Sequence, residues 1–385
     1  MKSSTGFSTR LLILNGLSIL AVVFSHAAHT SPLPMFWWTF RYLPGSEIPN
    51  YDQFGSLTYY ILVAIMKLGL FGLPCFLFIS GFYVSVVSRS QKSSVSWQWV
   101  FATIRRLLIP YLIWSLVSFV INWLQTCLEA CTAQTLGQYT MMLLTGKAQS
   151  PYWYVVLICQ FYLLSPWLVA LAKKHPKWLL FLAGFAYLCG VAVVYVSLFV
   201  KVPEYFYLLP YGSFFPRDLI YFVSGIIFGF HLSTIQQWLV RFKWQLLIIL
   251  VASAILSLVE AEVVYRFQGG GNNYLHHVNT GNDTLPMVIY VFSFILCFFA
   301  FEKVDYPFSK VLSHQIGPKS YGIYLIHPIF IQLVPKIFYH IAPWLLSSQL
   351  LYQPALIFIS MGIPLLMMYL VENSKVHGIY RYLFG

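Results

Sequence analysis

Charge is what this 385-residue sequence has least of. Only 9% of its residues are charged, and only 11 of them are Asp or Glu, against 23 Lys and Arg. Soluble domains usually carry about a quarter charged residues, so the composition excludes an ordinary water-soluble protein. Hydrophobic residues make up 59% of the chain, which predicts a protein buried in a lipid bilayer.

Familiar motifs of soluble enzymes are also absent. The sequence has no glycine-rich phosphate loop, no zinc-protease helix motif and no appended soluble domain. Four of its six cysteines lie in apolar runs, and Cys127 and Cys131 have no partners at metal-ligand spacing. We therefore predict neither a bound metal nor a permanently bound cofactor. No internal repeat of half the chain is visible, which weakens a transporter built from inverted repeats.

Long apolar runs predict about ten membrane-spanning helices. Each crossing needs about 20 mainly apolar residues. The second run is too long for one straight crossing, and its Gly69, Gly72 and Pro74 predict a break. The predicted fold is an all-α polytopic membrane protein with a single domain over residues 1–385. The predicted spans lie near residues 11–29, 60–88, 99–124, 152–172, 178–200, 217–238, 244–264, 284–301, 320–340 and 350–371.

Lysine and arginine are distributed unevenly between the two sides of these spans. With the N-terminus placed inside, most of the 23 fall in inner segments, as the positive-inside rule requires. The even number of spans then predicts that both termini are cytoplasmic. Because the basic residues are spread over many loops, the net charge of +12 is explained by the lipid bilayer and requires no nucleic acid.

The first span carries a polar stripe that ends in two histidines. Asn15, Ser18, His26 and His29 fall near one face, because 11 residues return a helix to within about 20° of its starting direction. An ionisable group in the bilayer costs about 2 kcal/mol or more and usually faces a bundle interior or a wet cavity. Histidine exchanges protons near neutrality. We therefore predict that His26, or else His29, is a general base. The alternatives are a histidine that only bonds a loop carbonyl, and a signal peptide, which the length of the apolar run disfavours.

Arginines and aromatic residues mark two further candidate regions. Arg105 and Arg106 stand at the inner mouth of the third span. Paired guanidinium groups there either bind the phosphates of a cytoplasmic cofactor or serve as ordinary inside anchors. An amide within a span needs a partner, so Gln160 of the fourth span is predicted to face other helices. The predicted substrate-binding residues are Tyr152, Trp153, Gln160, Tyr324 and His327.

Three stretches, in this order and spacing, resemble the acyltransferase-3 family. They are NGLSILAVVFSHA, then PCFLFISGFY with the following IRRLLIPYL, and SYGIYLIHPI near the C-terminus. The resemblance implies a ten-helix enzyme that transfers groups other than aminoacyl groups. Its implied donor is an acyl-CoA, in the first instance acetyl-CoA, which binds on the cytoplasmic side. Its implied acceptor is a hydroxyl of a cell-surface or lipid-linked glycan, and its implied location is a bacterial plasma membrane.

The sequence departs from the family pattern in the first span. The family's histidine follows an arginine with ten intervening residues, whereas Asn15 takes that position relative to His26, and Ser18 relative to His29. Arg10 is about half a turn out of phase with His26. We prefer His26 to His29 because VVFSHA matches the family's approach to its histidine more closely.

The resemblance also assigns expected roles. His26 would take the proton of the acceptor hydroxyl, and Arg105 and Arg106 would hold the donor phosphates. Asn15 or Tyr324 would stabilise the oxyanion. The leading alternative is a transporter or flippase of a glycan or glycolipid without acyl-transfer chemistry, and an inactive assembly subunit is a third.

Overall fold

The computed structural model describes residues 2–30, 56–89, 94–127, 134–203, 205–206, 212–267, 284–301, 304 and 307–385. Within these ranges the chain forms helices and no strand, which confirms the all-α prediction. The helices of the bundle are α1 (Lys2–Thr30), α2 (Leu57–Leu68), α3 (Gly72–Arg89), α4 (Trp97–Cys127), α5 (Leu136–Thr145), α6 (Trp153–Lys174), α7 (Pro176–Ser197), α8 (Leu219–Phe230), α9 (Leu232–Arg241), α10 (Lys243–Phe267), α11 (Leu285–Ala300), α12 (Ser320–Ile341), α13 (Gln349–Glu372) and α14 (Tyr380–Leu383).

Eight helical stretches of the described chain are long and apolar enough to cross a membrane. Each coincides with a predicted span, so the protein is polytopic. The predicted span over residues 217–238 is not one straight helix: α8 and α9 are together long and apolar enough to cross a membrane, but they meet at His231 with a bend of 100°. The polar sequence LSTIQQW opens α9, and such a segment is more stable at the membrane interface than in hydrocarbon. Helix α11 has 16 residues, about 24 Å, which is shorter than the hydrocarbon core of about 30 Å.

The second apolar run is broken where the sequence predicts a break. A 3₁₀ turn over Gly69–Phe71 separates α2 from α3. Both Gly69 and Gly72 lie against the backbone of α1, because a Cβ at Gly69 would be 2.9 Å from the carbonyl oxygen of Ala21, and one at Gly72 would be 2.6 Å from that of Ser18. The two glycines therefore let the broken helix pack directly on α1.

Glycines also bring α3 and α8 into backbone contact. A Cβ at Gly81 would lie 2.0 Å from the carbonyl oxygen of Phe222, and one at Gly225 would lie 2.0 Å from that of Phe78. Small residues at such crossings let membrane helices approach closely, where dispersion contacts stabilise the pair.

We expect Gly225→Ala to lower the melting temperature of the detergent-solubilised protein. The added methyl group overpacks the crossing, which typically costs about 1 to 3 kcal/mol. Gly184→Ala in α7 is the matched control, since nothing lies within 4 Å of its added Cβ. Thermal unfolding followed by tryptophan fluorescence compares the two, and equal melting temperatures would contradict close packing at Gly225.

The contact between α1 and the segment just before α12 determines which parts of these two helices lie side by side. A π-helical turn, Leu312–Ile316, precedes α12. Gly16 packs against Leu312, and a Cβ at Gly317 would lie 2.2 Å from the carbonyl oxygen of Leu12. The two helices run side by side from this contact, so the C-terminal part of α1 lies level with the middle of α12. We call the end of the bundle that contains Arg105 and Lys319 the basic end, and the opposite end the far end.

Candidate functional site

His26 and His327 meet inside the bundle. Nδ1 of His26 lies 2.9 Å from Nε2 of His327, although the residues are 301 positions apart in the chain. Their ring planes differ by 4°, with centroids 5.3 Å apart. His327 is fully buried, whereas His26 is only partly buried. The structure thus joins the predicted base to one of the predicted substrate-binding residues.

Hydrogen bonding determines which nitrogens of this pair carry protons. Nδ1 of His327 lies 3.0 Å from the carbonyl oxygen of Ile323, and a carbonyl only accepts, so this Nδ1 carries the hydrogen. Nε2 of the neutral His327 ring is then an acceptor, and Nδ1–H of His26 must donate to it. Nε2 of neutral His26 is left with its lone pair. In this arrangement the accepting nitrogen of His26, Nε2, points away from His327.

The other candidates of the first span lie apart from the pair. Asn15 is 11 residues before His26, about 16 Å along the helix axis. His29 lies one turn beyond His26 and within electrostatic range of Lys67, whose side chain is buried. These positions favour His26 over His29 as the base.

Arg10 has a structural role at the end of α11. Its guanidinium donates to the carbonyl oxygens of Phe298 at 3.3 Å, Phe301 at 2.7 Å and Val304 at 3.2 Å. It also lies over the Phe298 ring, 5.4 Å from the centroid. The last carbonyls of a helix have no partner within the helix, and Arg10 supplies one. It does not replace the family's arginine near the histidine pair.

Three tyrosine hydroxyls tie α12 to α4 and to the start of α6. The hydroxyl of Tyr152 donates to Leu325 at 2.5 Å, that of Tyr321 to Leu107 at 2.6 Å, and that of Tyr324 to Pro151. The ring of Tyr324 lies 5.9 Å from that of His327. These bonds fix the position of the α12 segment that carries His327.

Trp153 and Gln160 contact the segment that leads into α8. The Trp153 ring lies under the guanidinium of Arg217, 5.2 Å from it. Nε2 of Gln160 donates to the carbonyl oxygen of Ser213 at 2.6 Å, and its Oε1 accepts from the amide of Phe215 at 3.2 Å. The side-chain amide of Gln160 is thus hydrogen-bonded mainly to the backbone of this segment. The sequence predicted that this amide would contact other helices, and its partners lie in the segment just before α8.

Arg105 and Arg106 line a cavity of about 610 Å³ at the basic end. Arg381 and Tyr382 of α14 line the same cavity, and the Arg381 guanidinium lies 4.8 Å from the centre of the Tyr382 ring. In the part of the chain that the structure describes, no aspartate or glutamate contributes to the lining. Such a cavity attracts anions, and three guanidinium groups suit phosphate oxygens.

The sequence alone does not reveal Arg381 as part of this cavity. Its tail looks like a short basic segment, but Nε1 of Trp114 donates to the carbonyl oxygen of Leu383 at 2.8 Å, and Phe384 is buried. The aromatic residues of YRYLF were the available signal, because they anchor α14 to the bundle and hold Arg381 in place.

Comparison with known proteins agrees with this architecture. A protein-family model described as "Acyltransferase domain" matches residues 11–369, a range that includes the histidine pair and Arg105 with Arg106. No curated protein and no solved structure matches the chain. The match covers nearly the whole chain. The long apolar helices show that the protein is an integral, multi-pass membrane protein. The chain belongs to the acyltransferase-3 family and is a membrane acyltransferase whose transferred group is not aminoacyl.

Proposed function

We propose that this acyltransferase moves an acyl group, in the first instance acetyl, from cytoplasmic acyl-CoA to a hydroxyl of a cell-surface or lipid-linked glycan. The observation that carries the proposal is the His26–His327 pair, with its inferred lone pair on Nε2 of His26. The positive-inside rule places the basic end in the cytoplasm. The proposed membrane is the plasma membrane of a bacterium, with the glycan on the outer side.

The arginine cavity supports acyl-CoA as the donor. Acyl-CoA is proposed to bind there as a co-substrate and not as a permanently bound cofactor. Coenzyme A carries a diphosphate and a 3′-phosphate, and Arg105, Arg106 and Arg381 offer charge-assisted hydrogen bonds to such groups. Tyr321 bonds Leu107 beside Arg106, and His327 lies six residues further along α12, about 9 Å. The flexible pantetheine arm of coenzyme A is suited to bridge this separation.

The chemical step needs one base. The hydroxyl proton of the acceptor moves to Nε2 of His26 while the hydroxyl oxygen attacks the thioester carbonyl. The carbon–sulfur bond then breaks, the ester forms, and the departing thiolate takes the proton from His26. Positioned proton transfer of this kind accelerates reactions by about 10²- to 10⁴-fold.

His327 acts in this scheme as a positioning residue. Its Nε2 accepts from Nδ1–H of His26 both before and after His26 takes the proton, so the ring orientation is kept. Of the two predicted oxyanion donors, Tyr324 is nearer to the pair than Asn15. Its hydroxyl donates to Pro151 and would have to turn to serve the oxyanion.

The direct test is acyl transfer by the purified full-length protein in lipid nanodiscs. It is supplied with [¹⁴C]acetyl-CoA and surface polysaccharide from which O-acetyl groups have been removed by alkali. We expect alkali-labile label on the polysaccharide. If neither acetyl-CoA nor longer acyl-CoA molecules label it, although the protein binds them, the proposed donor and acceptor are wrong.

A further inference from the structure

A chain of carboxamide groups lies on the far-end side of His327. Nε2 of Gln149 donates to Oε1 of Gln332 at 3.2 Å, and Nε2 of Gln332 donates to Oδ1 of Asn122 at 3.2 Å. The three residues come from α4, from the segment before α6 and from α12. We call this group the amide chain.

The amide chain lies between the far end and the histidine pair. Gln332 is five residues beyond His327 on α12, about 8 Å along the axis. Helix α5 packs beside Asn122, since Tyr139 and Met142 of α5 line the same cavity as Asn122. The arginine cavity is on the other side of His327. The amide chain and the arginine cavity therefore lie on opposite sides of the histidine pair along the bundle.

A cavity of about 110 Å³ lies beside Asn122, between α4 and α5. Its lining includes the rings of Trp123 and Tyr139 and the polar side chains of Thr126 and Gln134. Trp123 is 42% exposed, so its ring is accessible. Among the described residues, no charged side chain lines this cavity.

These groups have the chemistry that recognises sugars. A carboxamide both donates and accepts, as a hydroxyl does. Within the described structure, Asn122 bonds through Oδ1 and Gln149 through Nε2, which leaves Nδ2 of Asn122 and Oε1 of Gln149 for a ligand. Aromatic rings offer flat apolar surfaces for the C–H faces of a pyranose.

We propose that the amide chain and the Trp123 cavity bind an uncharged sugar ring of the acceptor on the far-end side of the histidine pair. This inference rests on the proposed function and names the acceptor subsite. The competing reading is that the amides only join α4 to α12, as polar residues do between membrane helices.

Gln332→Leu and Asn122→Leu test the inference in the full-length protein in nanodiscs, with de-O-acetylated surface polysaccharide as the probe. We expect each to raise the KM for polysaccharide about tenfold, since Asn122→Leu removes one hydrogen bond to the sugar and Gln332→Leu releases the two amides that it holds in place. The KM for acetyl-CoA and the dissociation constant of acetyl-CoA, measured by calorimetry, should stay at wild-type values. Gln315→Leu is the matched control, because Gln315 is an exposed glutamine in the turn Leu312–Ile316, which precedes α12.

Equilibrium binding of the same polysaccharide without donor, followed by biolayer interferometry, separates the two proposals. Weaker binding by both variants supports the subsite even if the wild type transfers no acyl group, in which case the proposed function alone fails. Unchanged KM and unchanged binding in both variants overturn the subsite while transfer stands. A parallel loss of acetyl-CoA binding and of melting temperature also overturns it and assigns the amides to helix packing.

Discussion

His26→Ala is expected to lower acyl transfer by about 10²- to 10⁴-fold, the usual contribution of a positioned general base. Binding of acetyl-CoA should remain, because Arg105, Arg106 and Arg381 line a separate cavity. Single-turnover transfer of [¹⁴C]acetyl to the polysaccharide measures the chemical step, and calorimetry of acetyl-CoA binding measures donor affinity.

His29→Ala is the matched control for this prediction. It removes an imidazole one turn away on the same helix, and its rate should stay close to that of the wild type. His327→Asn should give a smaller loss confined to kcat, because His26 keeps its nitrogen but loses the partner that orients it. Full activity of His26→Ala, or a loss in His29→Ala alone, would remove His26 from the mechanism.

The second large effect is expected at the basic end. Replacing Arg105 and Arg106 together by glutamine should raise the KM for acetyl-CoA by about 100-fold, because a hydrogen bond to a charged group contributes about 1.5 kcal/mol or more. Arg381→Gln alone should raise it by about tenfold on the same basis. The kcat at saturating donor should change little, since these groups bind phosphate and do not touch the thioester.

A control arginine and a shortened donor sharpen this test. Arg241→Gln changes an exposed arginine at the end of α9, outside the cavity lining, and should leave the KM unchanged. Acetyl-dephospho-CoA, which lacks the 3′-phosphate, should bind the wild type more weakly. Its KM should also differ less between the wild type and the arginine variants than the KM for acetyl-CoA does. If the double variant keeps the wild-type KM but inserts poorly into membranes, the arginines are topological anchors.

Local patterns were enough to predict much of the fold. The first span's polar stripe depends only on helical periodicity, and the break at Gly69–Phe71 follows from adjacent glycines and a proline. The bend at His231 was not predicted in this way, because no proline marks it and the glycine nearby, Gly229, lies within α8. Its position reflects where α8 packs on α3 and where the polar residues of α9 begin.

The candidate site depends more on contacts between distant segments. Sequence analysis singled out both His26 and His327 but gave them separate roles, because nothing local shows that α1 and α12 share a register set by Gly16 and Gly317. Arg381 was overlooked because its place in the cavity depends on the anchoring of α14 to Trp114.

The protonation of His26 is the point on which the mechanism depends most directly. Nitrogen-15 NMR of the protein labelled in histidine, in nanodiscs near neutral pH, reports which ring nitrogen carries the hydrogen, and loss of signals in His26→Asn assigns them. The geometry predicts a hydrogen on Nδ1 and a bare Nε2 in His26, with the hydrogen of His327 also on Nδ1. A hydrogen on Nε2 of neutral His26 would contradict its role as the base that receives the acceptor's proton.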